Sequence, residues 1–203
     1  MPSIVAISRQ FGAGGTRVGR ALAQRLGYRY ADRDILAEAA RQLELQAEDL
    51  EPFEEHVPGF WARIGSLFTL GTPDTPFIPP SVPIVDEQQV FDAEQRIITQ
   101  IAEQGRAVVV GRGAAHVLRG RANVLRVFLH APFDVRVDSV LSGYQLSDRA
   151  AAVALTEQSD RERSRFVTRI SGSDWFDART FDLCIDTHAV GTEATVDLLA
   201  ALV

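Results

Sequence analysis

The sequence predicts an α/β protein, a three-layer sandwich in which helices cover both faces of a mostly parallel, five-stranded sheet. Short apolar runs rich in β-branched residues alternate along the chain with longer segments of helical spacing. This alternation is typical of parallel strands joined by right-handed helical crossovers. The first apolar run ends abruptly in glycines and is followed by a helical pattern, which is the layout of a phosphate-binding loop.

Taken in order, the pattern predicts five strands, seven helices outside residues 44–86, and a short amphipathic helix at residues 60–70. The first strand is apolar on both faces, which favours a central position in the sheet. Glycines at 27 and 105 predict helix ends, and Pro132 predicts a helix start. The predicted strands cover residues 4–7, 28–31, 107–110, 124–129 and 181–185. The predicted helices cover residues 16–26, 35–43, 87–103, 114–118, 132–141, 147–170 and 193–202.

The composition restricts the chemistry of any phosphate site. The chain has 203 residues and a net charge of −6, so its bulk charge gives no reason to expect a nucleic-acid partner. All 21 basic residues are arginine, and lysine is absent from the sequence. A phosphate site would therefore have to use arginines and backbone N–H groups.

Other features indicate a soluble protein of the cytoplasm. No apolar run approaches the length of a membrane span, and the N-terminus is typical of a strand rather than a signal peptide. The one cysteine, Cys184, excludes an intramolecular disulfide and is expected to be buried within its apolar run. The sequence does not indicate an oligomeric state.

Residues 44–86 interrupt the alternating pattern. This stretch is acidic at its start, and five of the nine prolines fall between residues 71 and 83. It contains too few apolar residues for a core of its own. We therefore expect a single domain over residues 1–203, with residues 44–86 inserted in the core fold as a flap.

The glycine loop matches the P-loop pattern G-x-x-x-x-G-K-[ST] only in part. Gly14 fits the second glycine and Thr16 fits the hydroxyl position, but Arg9 stands at the first glycine and Gly15 stands at the lysine. A tight strand-to-helix turn without a ligand is the alternative interpretation. The residues expected to hold phosphates are Gly12, Ala13, Gly14, Gly15 and Thr16.

Polar residues also follow the second and third predicted strands. Asp32 and Asp34 lie at the end of strand two, where they serve either as caps and ion-pair partners or as substrate or metal contacts. Arg112 lies between two glycines after strand three, where its guanidinium could bind a phosphate or carboxylate through two hydrogen bonds. Since the carboxyl ends of parallel strands lie at one edge, these groups should lie near the glycine loop.

A third group of arginines lies near the end of the helix predicted at 147–170. Arg161, Arg163 and Arg165 alternate with acidic and hydroxyl residues, and the first and last are four residues apart on one helical face. A charged, exposed helix is one interpretation. The other is a mobile lid over residues 147–172 whose arginines close on a transferring phosphoryl group.

The order of these motifs resembles the cytidylate-kinase-like family, whose members begin with an I-S-R-x-x-G-x-G-G loop. Residues 7–15 match that opening at every position. The strand and Gly-Arg turn, the following strand, the arginine-rich lid and the last strand of cytidylate kinases resemble residues 108–113, 124–129, 160–165 and 181–187. The resemblance implies a P-loop kinase sandwich with an arginine-rich lid.

The resemblance also implies an activity and its ligands. ATP would donate its γ-phosphoryl group to a nucleoside monophosphate, CMP or dCMP by resemblance, with Mg²⁺ on the Thr16 hydroxyl. Arg112 would bind the acceptor phosphate, Asp32 and Asp34 would line the acceptor side, and the lid arginines would close over the transfer. Nucleotide and acceptor are the expected partners, without a nucleic acid or a membrane.

Two departures from the family leave other functions open. Cytidylate kinases carry a lysine where this chain has Gly15, and an acidic residue where it has Val110. Arg9 and Arg17 are the candidates to replace the lysine, and Asp32 and Asp34 are the candidates to assist the metal. The alternatives are a nucleotide-binding sensor without kinase activity and a kinase of another small-molecule acceptor. The second alternative stays open because residues 44–86, the flap, lie where nucleotide kinases place their acceptor-binding segment but do not match it.

Overall fold

The computed structural model describes residues 1–32 and 87–203, and from residue 95 onward it also describes the side chains of the second range. Asp34, the helix predicted at 35–43 and the insertion predicted at 44–86 lie outside the described residues. Their interpretation therefore stays a prediction.

The centre of the protein is a five-stranded, fully parallel sheet, as predicted. Its strand order is β2-β3-β1-β4-β5, so that β1 is central. The strands are β1 (Ile4–Arg9), β2 (Arg29–Ala31), β3 (Ala107–Val110), β4 (Val124–His130) and β5 (Leu183–Asp186).

Seven helices lie in the described ranges, and those that the sequence predicted begin and end within a few residues of the expected positions. A short 3₁₀ turn at Ala178–Thr180 precedes β5. The helices are α1 (Gly15–Leu26), α2 (Glu87–Gln104), α3 (Ala114–Val117), α4 (Phe133–Gly143), α5 (Arg149–Ser171), α6 (Thr187–Val190) and α7 (Thr192–Ala201). None of these helices is long and apolar enough to cross a membrane.

Alternation along the strands sends side chains into two cores, which makes the fold three-layered. Ile4 and Ala6 of β1 contribute to the core that includes apolar residues of α2 and α3. Val5 and Ile7 contribute to the core shared with α1 and α7. Both faces of the central strand are therefore fully buried, which explains its apolar sequence.

The edge strand β5 corrects one expectation. Cys184 was expected to be buried, but its side chain is exposed, because it lies on the face of the edge strand β5 opposite Ile185, and it is Ile185 that packs in the core shared with α1 and α7. Partial desolvation nevertheless raises the pKa of its thiol, so the thiolate is disfavoured at neutral pH.

Candidate phosphate-binding site

The glycine loop joins the end of the central strand to the start of α1. Gly12 and Gly14 have positive φ values of 79° and 73°, a conformation that glycine adopts without steric cost. Gly14 is the N-cap of α1, so the loop leads directly into the unpaired N–H groups and the positive dipole end of that helix. Thr16 lies in the first turn and is 5% exposed. This is the backbone arrangement that binds phosphates in nucleotide-binding folds.

Arg9 occupies the space in which the side chain of residue 15 would begin. A Cβ atom on Gly15 would lie 2.5 Å from Cγ and 2.8 Å from Cβ of Arg9. These atoms lie close to the backbone and cannot easily move away. The stem of Arg9 therefore excludes any larger side chain, including a lysine, from position 15.

The guanidinium group of Arg9 extends from there to the end of β3. A Cβ atom on Gly111 would overlap Nη1 of Arg9, so the absence of a side chain at position 111 makes room for this cation. The Nε atom of Arg9 is buried and has no hydrogen-bond partner within the described ranges. The side chain of Arg9 thus extends from the glycine loop to the turn that contains Arg112, and its positive charge lies beside that turn.

Arg112 lies in that turn with a left-handed backbone, at φ 54°. Its guanidinium lies 5.8 Å from the ring centroid of Phe166, on α5. Burial lowers the pKa of Arg112 to about 10; nearby Asp32 raises it and the positive charge of Arg9 lowers it further. The two arginines are therefore close enough to repel each other, and an anion between them would relieve that repulsion.

Asp32 is the described acidic residue of this cluster. It accepts a hydrogen bond of 3.1 Å from the Tyr30 hydroxyl. Burial, together with the charge of Asp32, raises the pKa of Tyr30 above its ordinary value, so this phenol stays a neutral donor. Asp32 lies close enough to Arg112 to affect its pKa, which agrees with the predicted meeting of the strand ends.

Arg17 lies in the first turn of α1, directly after the glycine loop. The residue is exposed, and its Nη2 atom would lie 3.2 Å from a Cβ atom on Gly14. Its guanidinium therefore lies beside the N-cap of α1. The two candidates to replace the lysine thus lie beside different glycines of the loop, Arg9 beside Gly15 and Arg17 beside Gly14.

The three arginines of α5 are in different environments. Arg161 pairs with Glu157 at 3.3 Å, and Arg165 pairs with Glu162 at 3.2 Å; both arginines are exposed. Arg163 is buried, with its guanidinium 5.2 Å from the ring centroid of Phe11 in the glycine loop. Of the three, only Arg163 is shown against the loop.

Sequence reasoning missed the residues that hold the loop in place. The Thr187 hydroxyl lies within hydrogen-bond distance of the carbonyl oxygens of Ala13 (2.9 Å) and His130 (3.1 Å). Asp160 and Arg136 bind the backbone of Phe11. Their only sequence signals are a threonine after the last strand and charged residues within otherwise ordinary helices, which do not indicate a partner.

Val110 cannot contribute to a metal shell. Its side chain is fully buried and packs against α1, where a Cβ atom on Gly19 would lie 2.5 Å from it. In the described ranges no group of three histidine, cysteine or acidic residues is placed to hold a metal ion. Thr16 is thus the one predicted metal contact for which the described part of the site offers a buried oxygen.

Comparison with protein families gives a match to the model of the cytidylate kinase-like family over residues 4–189. A cytidylate kinase of Sulfolobus acidocaldarius is 30% identical over 79 residues, which is 39% of this chain and 43% of that enzyme. The match thus spans less than half the length of this curated relative.

Solved structures show the same fold at low sequence identity. A crystal structure of an uncharacterized protein from Eubacterium ventriosum has a TM-score of 0.70 and 21% identity, over 98% of this chain and 96% of that one. Shikimate kinase from Bacteroides thetaiotaomicron has a TM-score of 0.52 and 18% identity, over 98% and 96%. A gluconokinase from Sinorhizobium meliloti has a TM-score of 0.53 and 16% identity, over 99% and 93%. The fold is therefore that of the P-loop kinases.

Proposed function

The chain belongs to the cytidylate kinase-like family, and we propose that it transfers the γ-phosphoryl group of ATP to a nucleoside monophosphate, with CMP and dCMP as the first candidates. One observation carries this proposal. Arg9 extends from the glycine loop to the turn of Arg112, so that a cation lies between the donor-binding and acceptor-binding elements. This is where negative charge must be neutralised during phosphoryl transfer.

On the donor side, the backbone N–H groups of residues 12–16 would hold the β- and γ-phosphates of ATP. Arg9 would supply the charge that a lysine at position 15 supplies in other P-loops. Arg17, beside Gly14, would contact the donor from the outer side of the loop. Mg²⁺ is commonly held by one or two protein oxygens together with phosphates and water, so the Thr16 hydroxyl fits as a single protein ligand.

On the acceptor side, Arg112 would bind the phosphate of the monophosphate. Its bidentate geometry suits this anion, and at pH 7 its lowered pKa of about 10 still leaves it charged. Asp32, with Asp34, would line the acceptor pocket. An oxygen of the acceptor phosphate would attack the γ-phosphorus, the bond from that phosphorus to the β-phosphate oxygen would break, and ADP would leave. Since the attacking oxygen is already anionic, no general base is needed.

The arginines of α5 would complete the neutralisation of negative charge on the transferring phosphoryl group. Arg163 already lies against the glycine loop, and Arg161 and Arg165 would have to leave Glu157 and Glu162 to reach a ligand. Exposed ion pairs of this kind contribute only about 0.2–1 kcal/mol, so exchanging them for phosphate contacts is inexpensive.

ADP release from ATP and Mg²⁺ tests the proposal, with a panel of nucleoside monophosphates that starts with CMP and dCMP. Turnover with one of them, and loss of turnover in the Arg9→Ala variant, is the expected result. ATP binding measured by calorimetry runs in parallel. A protein that neither turns over nor binds ATP would contradict the proposal, because the proposal requires the glycine loop to bind the phosphates of ATP.

A second function is favoured by Val110, whose apolar side chain replaces an acidic residue that cytidylate kinases carry. A site with less charge around the metal suits a nucleotide sensor without kinase activity. ATP binding without turnover on any acceptor would support this sensor. ATP turnover with an acceptor outside the monophosphates would instead indicate a kinase of another small molecule.

A further inference from the structure

The backbone of Phe11 in the glycine loop is held by two charged side chains from outside the loop. Asp160 of α5 accepts a hydrogen bond of 2.8 Å from the N–H of Phe11. Arg136 of α4 donates from Nη1 to the carbonyl oxygen of Phe11, at 3.0 Å. Both backbone groups of this loop residue are therefore bound by side chains of the two helices.

The two side chains also bind each other. Nη1 of Arg136 lies 2.6 Å from the second carboxylate oxygen of Asp160, and Nε of Arg136 donates to the Ala131 carbonyl at 3.1 Å. The side chain of Arg136 is 5% exposed and that of Asp160 is 15% exposed. A pair this well desolvated, in which Arg136 also donates to two backbone carbonyls, fixes geometry more strongly than a surface ion pair.

The ring of Phe11 is fixed as well. It is fully buried among Val137 and Val140 of α4 and Ala152 of α5. The next residue, Gly12, is so close to the backbone of α4 that an added Cβ atom would lie 2.6 Å from the carbonyl oxygen of Arg136. The loop is thus seated on these two helices through its backbone and one side chain.

We propose that Asp160 and Arg136 are positioning residues that hold the glycine loop in its phosphate-binding conformation, which makes α5 a part of the donor site. A loop with two left-handed glycines has many accessible conformations when unbound, and ordering it opposes ligand binding. Fixing Phe11 in advance lowers that entropic cost. This inference rests on the proposed function, since it requires that the loop binds the donor phosphates.

The contact between Asp160 and Phe11 couples α5 and the glycine loop in both directions. Asp160 neighbours Arg161 and lies three residues before Arg163, so the contact on the loop comes from the arginine-rich segment itself. If the position of α5 favours phosphate binding, then by linkage phosphate binding stabilises the contact of α5 with the loop. The arginines nearest to Asp160 would therefore be held at the donor site when ATP is bound.

The test compares ATP binding by calorimetry in the wild type, Asp160→Asn and Asp160→Ala. An asparagine retains an oxygen for the Phe11 N–H but presents an amide donor to Arg136, so it breaks the pair and leaves the size unchanged. We expect the Kd for ATP to rise about tenfold in both variants, the effect of one charge-assisted hydrogen bond. The matched control is Asp138→Asn on α4, an exposed residue paired with Arg149, whose Kd should not change.

A double variant separates positioning from a general loss of stability. Asp160→Ala removes the carboxylate that pairs with buried Arg136 at 2.6 Å and with buried Arg163 at 3.9 Å, which should lower the melting temperature. Combining it with Arg136→Met removes the charge of the closer pair, so the melting temperature should return part of the way to the wild-type value while the Kd for ATP stays high. An ATP affinity that recovers together with the melting temperature would overturn the positioning role.

The test also distinguishes this inference from the function on which it rests. Wild-type protein that binds no ATP would contradict the proposed function itself. Wild-type protein that binds ATP, with an unchanged Kd in Asp160→Asn and Asp160→Ala, would overturn the positioning role alone.

Discussion

The stem of Arg9 lies against Gly15, at the position where a P-loop carries its lysine. Cγ of Arg9 would be only 2.5 Å from a Cβ atom on that glycine. The side chain of Arg9 therefore fills the space that a lysine at position 15 would need, so an arginine at position 9 and a lysine at position 15 exclude each other. In the proposed function, Arg9 therefore supplies the cation from the end of β1 instead of from the start of α1.

The space for the guanidinium of Arg9 can be tested at Gly111. This glycine has φ 82°, and its added Cβ atom would overlap Nη1 of Arg9. We expect Gly111→Ala to displace the guanidinium and to lower kcat/KM for the kinase reaction about 100-fold, the effect of losing one charge-stabilising group.

The matched control for that variant is Gly120→Ala. Gly120 has φ 83° but no atom within 4 Å of an added Cβ, so its replacement introduces the same backbone strain without a clash. It should cost about 1–2 kcal/mol of folding stability and leave kcat/KM unchanged. Equal losses of activity in the two variants would show that strain, and not the position of Arg9, is responsible.

Arg112→Lys should make the activity depend on pH in the alkaline range. The site lowers the pKa of Arg112 to about 10, mainly through burial. Burial would likewise lower the pKa of a lysine at this position below its ordinary value, and thus below the pKa of Arg112. Since only the cation binds the acceptor phosphate, kcat/KM of the variant should begin to fall at a lower pH than kcat/KM of the wild type, whose cation is lost only as the pH approaches about 10.

The pH–rate profile of purified enzyme with a saturating ATP concentration measures this effect. Arg29→Lys serves as the control. Arg29 is exposed and lies at the amino end of β2, whereas Arg112 follows the carboxyl end of the neighbouring strand β3. A profile of Arg112→Lys that runs parallel to the wild type up to pH 9 would contradict the desolvated environment of Arg112.

His116 should make folding stability depend on pH in the acidic range. Its side chain is buried against the edge of Phe181, and neither ring nitrogen has a hydrogen-bond partner in the part of the chain that is described. Burial, and then the charge of Arg119, lowers its pKa. The unfolded chain therefore binds the proton more readily below pH 6.5, so the stability contributed by neutral His116 is complete above that pH and is lost as the pH falls.

The variant His116→Leu removes this titration and both unpaired nitrogens. Its melting temperature should equal or exceed that of the wild type at pH 7, and the difference should widen at pH 5. Thermal unfolding at these two pH values measures it. A constant difference would show that the protonation of His116 does not contribute to acid unfolding.

Most of the fold could be predicted because local patterns specify it. The five strands and the parallel arrangement followed from buried, β-branched runs that alternate with helical segments, and the central position of β1 followed from its apolar faces. The exposure of Cys184 could not be predicted in the same way. An apolar run indicates burial of a strand as a whole, but not which of its side chains lies at an open edge of the sheet.

The meeting of the strand ends was predictable, and the side-chain contacts at these ends were less so. The carboxyl ends of β1, β2 and β3 do bring Arg9, Asp32 and Arg112 together, as parallel strands require. The contact of Asp160 with Phe11 joins residues 149 positions apart, and no local pattern specifies such a pair. The sequence indicated a charged helix at this point, but only the packing of α5 against α4 shows which charge faces the loop.

The central claim is that Arg9 replaces the P-loop lysine, and its most direct test moves the cation from position 9 to position 15. Arg9→Gly together with Gly15→Lys restores the sequence G-x-x-x-x-G-K-T at residues 9–16 and returns the cation to the start of α1. Steady-state ADP release with the best monophosphate acceptor would be compared among the wild type, the two single variants and the double variant. The account predicts that Arg9→Gly is inactive and that Gly15→Lys is impaired by its clash with Arg9. It also predicts that the double variant regains activity above both. A double variant no more active than Arg9→Gly, or a fully active Arg9→Gly, would contradict the claim that Arg9 replaces the lysine.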